Sequence, residues 1–170
     1  GVGPGVEVLV PGYTFVASIS AVLAVGGIPI LTEIDGSLTM DPGDLEGKIT
    51  GRTRVIMPVH MLGNPSAMES IVAVARRHGL LVLEDCCQAV GATYRGKGIG
   101  TIGDIGAFSL NINKTITSGD GGIVITDDTG LYERAFAFHD QGHKPLRMGL
   151  EIGRRSILGI NLRMNELSGA

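Results

Sequence analysis

Tryptophan is absent, and three tyrosines and four phenylalanines are the only other large aromatics in 170 residues. A core made chiefly of rings is excluded, so it must rest on small and aliphatic side chains. Cysteine is nearly absent too. Cys86 and Cys87 are adjacent, and neighbours in sequence rarely bond each other, so a disulfide framework is excluded. A reducing cytoplasm is the natural setting for such a chain. Positive charge is not in excess: the net charge is −3, which argues against nucleic acid or an anionic membrane as partner. No apolar run approaches the length of a membrane span, and no signal peptide opens the sequence. Charged residues are only 18% of the chain and hydrophobic ones 44%, the reverse of a disordered composition.

What is present is glycine, 27 residues of it, set between short apolar runs and helical periods. "EVLV" from Glu7 reads as a strand stopped by Pro11 and Gly12. "FVASISAVLAVGG" reads as a helix, "IPILTEI" as a strand, and "DPGDLEGKI" as a helix with Asp41 as N-cap and Pro42 at its first position. "RVIMPVH" is a third strand. "SAMESIVAVARRHG" has Met68, Ile71, Val72 and Ala75 on one face and basic residues in its last turn. "LLVLED" is a continuous apolar strand ending in Glu84 and Asp85, the pattern of a strand covered on both faces. "IGAFSL" and "GGIVIT" complete the strands, and "GLYERAFAFHDQG" is a further helix. This alternation predicts one α/β domain with a mostly parallel open sheet and helices on both faces. Both ends read as cut, without an initiator methionine at one and with a helix just starting at the other, so the sequence is expected to be a piece of a longer protein.

Ligands of such sheets bind beyond the carboxyl ends of the strands. That rule singles out Asp85, Ser109 and, five residues further, Lys114. Each has a bland reading. Asp85 could simply cap a helix over "CCQAVGA". The Ser109 hydroxyl could bond its own backbone. Lys114 could be a surface charge on a loop between two buried strands. Glu84 reads as a structural partner of a nearby backbone or basic group, and His60 as a hydrogen-bonding residue of a tight loop. "GVGPG" lacks the preceding strand that a dinucleotide fingerprint requires. The functional reading joins an anion-binding hydroxyl, a carboxylate and an amine at one edge of one sheet.

"EDCCQAVGATYRGKGIGTIGDIGAFSLNINKTITSGDGGIVITDD" resembles the central signature of the DegT/DnrJ/EryC1/StrS family of pyridoxal-phosphate-dependent sugar aminotransferases. "PGYTFVAS" from Pro11 and "GINLRMNE" from Gly159 match the same family in order and approximate spacing. The resemblance implies the large domain of a fold type I transferase, incomplete here, with the N-terminal phosphate-binding segment and the C-terminal small domain lying outside these residues. It implies that Lys114 forms the imine with the cofactor aldehyde, Asp85 pairs with the pyridine nitrogen, Gln88 bonds the ring hydroxyl and Ser109 holds the phosphate. Phe15 stacks on the ring, and Asn161 reaches the phosphate in a neighbouring subunit's site, so a homodimer with shared sites is implied. No metal is expected. The basic stretch with Lys144, Arg147, Arg154 and Arg155 falls near the substrate in such enzymes, where it would meet a nucleotide diphosphate.

The implied reaction carries an amino group from an amino acid, glutamate by expectation, to a keto sugar or keto-cyclitol. Two other readings stay open. Some relatives are dehydratases that carry histidine in place of the lysine, and a nucleotide-binding module would need no amine at all. Val6 stands where the family has an acidic residue, and Cys86 and Cys87 replace its usual small pair.

Overall fold

The computed structural model describes residues 1–145, 155 and 157–170. Strands β1 (Glu7–Pro11), β2 (Ile28–Thr32), β3 (Thr53–Ile56), β4 (Leu81–Asp85), β7 (Ile105–Ser109) and β8 (Gly122–Ile125) form one sheet in the order β2-β1-β3-β4-β7-β8. The pairs up to β4–β7 are parallel, and β8 joins β7 antiparallel. A small hairpin, β5 (Thr93–Tyr94) with β6 (Lys97–Gly98), interrupts the run from β4 to β7.

Helices α1 (Val16–Ala24), α2 (Pro42–Lys48), α3 (Met68–Arg77), α4 (Thr129–His139) and α5 (Glu166–Gly169) follow the expected pattern. Alternation along each strand divides its side chains between two faces. Val8, Val10, Val55 and Met57 pack with Val22 of α1 on one face. Leu9, Ile56 and Val82 pack with Leu45 of α2 and with Met68, Ile71, Val74 and Ala75 of α3 on the other. Each fully buried aliphatic side chain contributes about 1.5–3 kcal/mol. Asp41 caps α2 as its sequence predicts, accepting from the Gly43 amide at 2.8 Å.

The structure refines one reading of the sequence, settles an open one and departs from a third. The α3 face is carried by Val74, which is buried, more than by Val72, which is only half-buried. Residues 86–92 form turns rather than a helix, so Asp85 is not a helix cap. Strand β8 is not buried: it lies at the sheet edge with Ile123 47% and Val124 55% exposed.

Glu84 is fully buried, as is His60. Its Oε2 accepts from His60 Nε2 at 3.1 Å and the Gly100 amide at 2.8 Å, and its Oε1 accepts from the amides of Ile102 at 2.7 Å and Gly103 at 2.6 Å. The Ser66 amide donates to His60 Nδ1 at 3.0 Å, which leaves Nε2 to carry the ring proton toward Glu84. The loop that supplies these amides is pressed against the sheet. A Cβ at Gly106 would stand 2.6 Å from the Gly100 backbone, and Gly100 itself takes φ +83°. Burial pushes the Glu84 carboxyl up, but the bonds from His60 and the three amides outweigh it and hold it below the ordinary 4.5.

The folded value is the lower one. Glu84 therefore contributes its full stability above the unfolded value and loses it as pH falls through the folded value. Glu84→Ala should cost about 3–5 kcal/mol in urea denaturation at neutral pH, since four donors lose their acceptor. Glu84→Gln should also destabilise, and should flatten the acid limb of the stability profile. An unaltered midpoint for both variants would remove this carboxylate from the list of structural determinants.

Candidate active site

The carboxyl ends of β1, β4 and β7 open on one side of the sheet. The segments that follow them line a single cavity of about 580 Å³. Thr14, Phe15, Ala17 and Ser18 come from the start of α1, Asp85, Cys87 and Gln88 from the turn after β4, and Ser109, Asn111, Asn113 and Lys114 from the loop after β7. The volume lies in the range of small-molecule sites. Five of the six residues singled out by the family pattern, Phe15, Asp85, Gln88, Ser109 and Lys114, thus share one space.

Each polar group in it has a defined direction. Asp85 accepts from the Cys87 amide at 3.1 Å on Oδ1 and from the Ser18 hydroxyl at 2.8 Å on Oδ2. Gln88 Oε1 accepts from the Leu62 amide at 3.1 Å, so its two N–H donors are the end left for a ligand. Ser109 Oγ accepts from the Asn111 amide at 3.3 Å, which leaves the hydroxyl proton to donate elsewhere. Lys114 is half-buried in the turn closed by its own amide on the Asn111 carbonyl at 2.9 Å. Phe15 is 63% exposed although it is a large apolar ring at the mouth of the cavity.

Asn161 does not line this cavity. It is exposed, its backbone bridges Asp140, and its Oδ1 accepts from Arg163 N at 3.3 Å and Nε at 3.2 Å. Of the basic stretch, Lys144 is exposed, and Arg155 is exposed and donates to the Gln141 carbonyl at 3.2 Å. Arg147 and Arg154 lie outside the described residues.

His60, Glu84 and Cys86 place three potential metal ligands within 4.8 Å of one another, all buried. Their atoms are engaged by the amides and by one another, and burial pushes the Cys86 thiol far up, so the cluster serves as a hydrogen-bond hub. His60 and Glu84 thus have the structural roles their positions suggest.

A model of the DegT/DnrJ/EryC1/StrS aminotransferase family matches residues 1–170. The chain belongs to that family. It is 42% identical to the GDP-perosamine synthase of Escherichia coli O157:H7, over the whole of this chain and 46% of that protein. The aminotransferase from Psychrobacter cryohalolentis superposes with a TM-score of 0.91 at 38% identity, covering 99% of this chain and 45% of the other. NtdA from Bacillus subtilis, solved with bound cofactor PMP, superposes with a TM-score of 0.89 at 34% identity, over 99% of this chain and 38% of its own. The fold is that of the fold type I pyridoxal-phosphate-dependent aminotransferases, and the family is pyridoxal-phosphate dependent. The chain spans a little under half the length of the curated relatives it matches.

Thr14, Ser18, Cys87, Asn111 and Asn113 line the site without having been singled out. A hydroxyl pair four residues apart at a helix start was the available signal for the first two. Burial, with the Asp85 charge next, pushes the Cys87 thiol up to about 12, and Lys114 pulls the other way. Cys87 is therefore held as the neutral thiol. Alkylation of Cys87 by iodoacetamide at pH 8 should run roughly a hundredfold or more below that of a free thiol, because the thiolate is the reactive form. Rapid labelling of the Cys87 peptide would show that the thiol is not held neutral.

Proposed function

We propose that the chain carries the greater part of the large cofactor-binding domain of an aminotransferase. The substrates are an amino acid donor, glutamate in this reading, and a keto sugar linked to a nucleotide. The observation that supports it is one cavity shared by an amine, a carboxylate, an amide and a hydroxyl in the family's order, lined by Lys114, Asp85, Gln88 and Ser109.

The residues fit pyridoxal phosphate by chemistry as well as by position. Lys114 is the only amine among the lining residues and would hold the aldehyde carbon. Asp85 offers a carboxylate to the pyridine nitrogen, and the Gln88 N–H donors face the role of binding the ring hydroxyl. The Ser109 proton is available for a phosphate oxygen. Phe15 gains burial if a ring lies against it. Bound there, pyridoxal phosphate would supply a protonated ring that accepts the electron pair left when the substrate carbon loses its proton. Lys114 would be the base placed to move that proton. A lysine rather than histidine at this position favours transfer over dehydration.

Asn161 would serve the site of a second copy, which would make the working form a homodimer. Its exposure and its separation from its own chain's cavity support that assignment. In a two-fold dimer each chain would give what it receives.

Two experiments on the intact protein test this reading. Borohydride reduction with cofactor bound should fix the label on the Lys114 peptide. Lys114→Ala should show no label and a loss of turnover by orders of magnitude while circular dichroism is unchanged. A label on Lys48, Lys97 or Lys144 would overturn the assignment. For the shared site, Lys114→Ala and Asn161→Ala chains should each be crippled as homodimers. Subunit exchange should restore part of the activity, since one site of the mixed dimer has both residues. Exchange without recovery would place Asn161 in its own chain's function.

A further inference from the structure

Ser18 poses a question that the fold does not answer. It lies in the first turn of α1, and its side chain is buried although it is polar. Its partner Thr14 stands four residues earlier, just before the helix. The N-cap of α1 is Phe15, whose side chain cannot cap, and the Thr14 hydroxyl beside it does not cap the helix either. Instead its Oγ1 lies 2.8 Å from Ser18 Oγ, and Ser18 Oγ donates to Asp85 Oδ2 at 2.8 Å. Serine has one proton. With that proton on Asp85, the bond between the hydroxyls must run from Thr14 to Ser18. The chain of donors therefore has one direction: Thr14 to Ser18 to carboxylate.

We propose that Ser18, bonded in turn to Thr14, is the positioning residue of Asp85, holding the carboxylate aimed into the cavity so that it meets the ring nitrogen of the cofactor. This rests on the cofactor reading above. The Cys87 amide fixes Oδ1 and the Ser18 hydroxyl fixes Oδ2, so the carboxylate plane is set by two donors from two different elements. A rotated Asp85 would give up both donors. The other titratable groups lining the space are Cys87 and Lys114, and the Cys87 thiol also interacts with the Asp85 carboxylate. The relay also leaves Thr14 with its proton engaged, so toward the cavity its hydroxyl can only accept.

The test uses the intact protein with pyridoxal phosphate, and compares Ser18→Ala, Ser18→Thr, Thr14→Val and Asp85→Asn. The readouts are the cofactor dissociation constant, the pH titration of the bound cofactor's visible absorbance, kcat and the apoprotein melting temperature. Ser18→Ala should weaken cofactor binding about tenfold, move the pH midpoint of the absorbance and lower kcat about tenfold or more, with the apoprotein melting temperature little changed. Ser18→Thr, which keeps the hydroxyl, should recover most of the binding and the pH midpoint. Thr14→Val should produce the same shifts in weaker form, since Ser18 keeps its own proton. If Ser18→Ala leaves the pH profile and dissociation constant at their original values while Asp85→Asn is crippled, the cofactor site stands and the positioning role is overturned. If Ser18→Ala alters only the melting temperature, Ser18 is structural and the proposal fails. If Asp85→Asn is itself normal, the reading of the site is wrong and the positioning role falls with it.

Discussion

A buried carboxylate with four donors organises this molecule. Glu84 reaches His60 after β3 and three amides of the loop before β7. It therefore ties together the carboxyl end of β3, the end of β4 and the entry to β7. Asp85 is the next residue on the same strand and so points to the opposite face. Fixing Glu84 fixes the pleat, and the pleat decides that Asp85 faces the cavity. The β4–β7 register then sets Asp85 opposite Ala107, two residues from Ser109. The site inherits its spacing from a residue that does not line it.

Much of this was legible in the sequence, for identifiable reasons. Asp41 and Pro42 mark the start of α2 because an N-cap acceptor and a donorless first position are what a helix start needs. The strand ends carrying Asp85 and Ser109 pointed to one edge because parallel strands deliver their carboxyl ends together. The turn after Asp85 was not legible. Asp followed by small residues reads as a helix start, and Asp85 does accept from the Cys87 amide, but the following amides of Ala89 and Ala92 close separate three-residue-span turns on the carbonyls of Cys86 and Ala89 instead of a continuous helix. The exposure of β8 was hidden as well, since an apolar run such as "GGIVIT" is the same whether or not something covers it.

The Thr14–Ser18 pair offered only a weak signal, for a different reason. Two hydroxyls four residues apart are common, and their meaning comes from Asp85, 67 residues further along the chain. Cys87 is similar. Its size suited the family's small pair, but its neutrality in the site comes from burial and the Asp85 charge, which only the fold supplies.

The amides of Gly100, Ile102 and Gly103 have a kinetic consequence. Loop amides ordinarily exchange with solvent through small local openings. These three donate to a fully buried carboxylate, so releasing them means lifting the whole loop off β4 and leaving that charge without its donors. On the timescale of hydrogen exchange the loop should therefore behave as one protected unit rather than as a series of small openings.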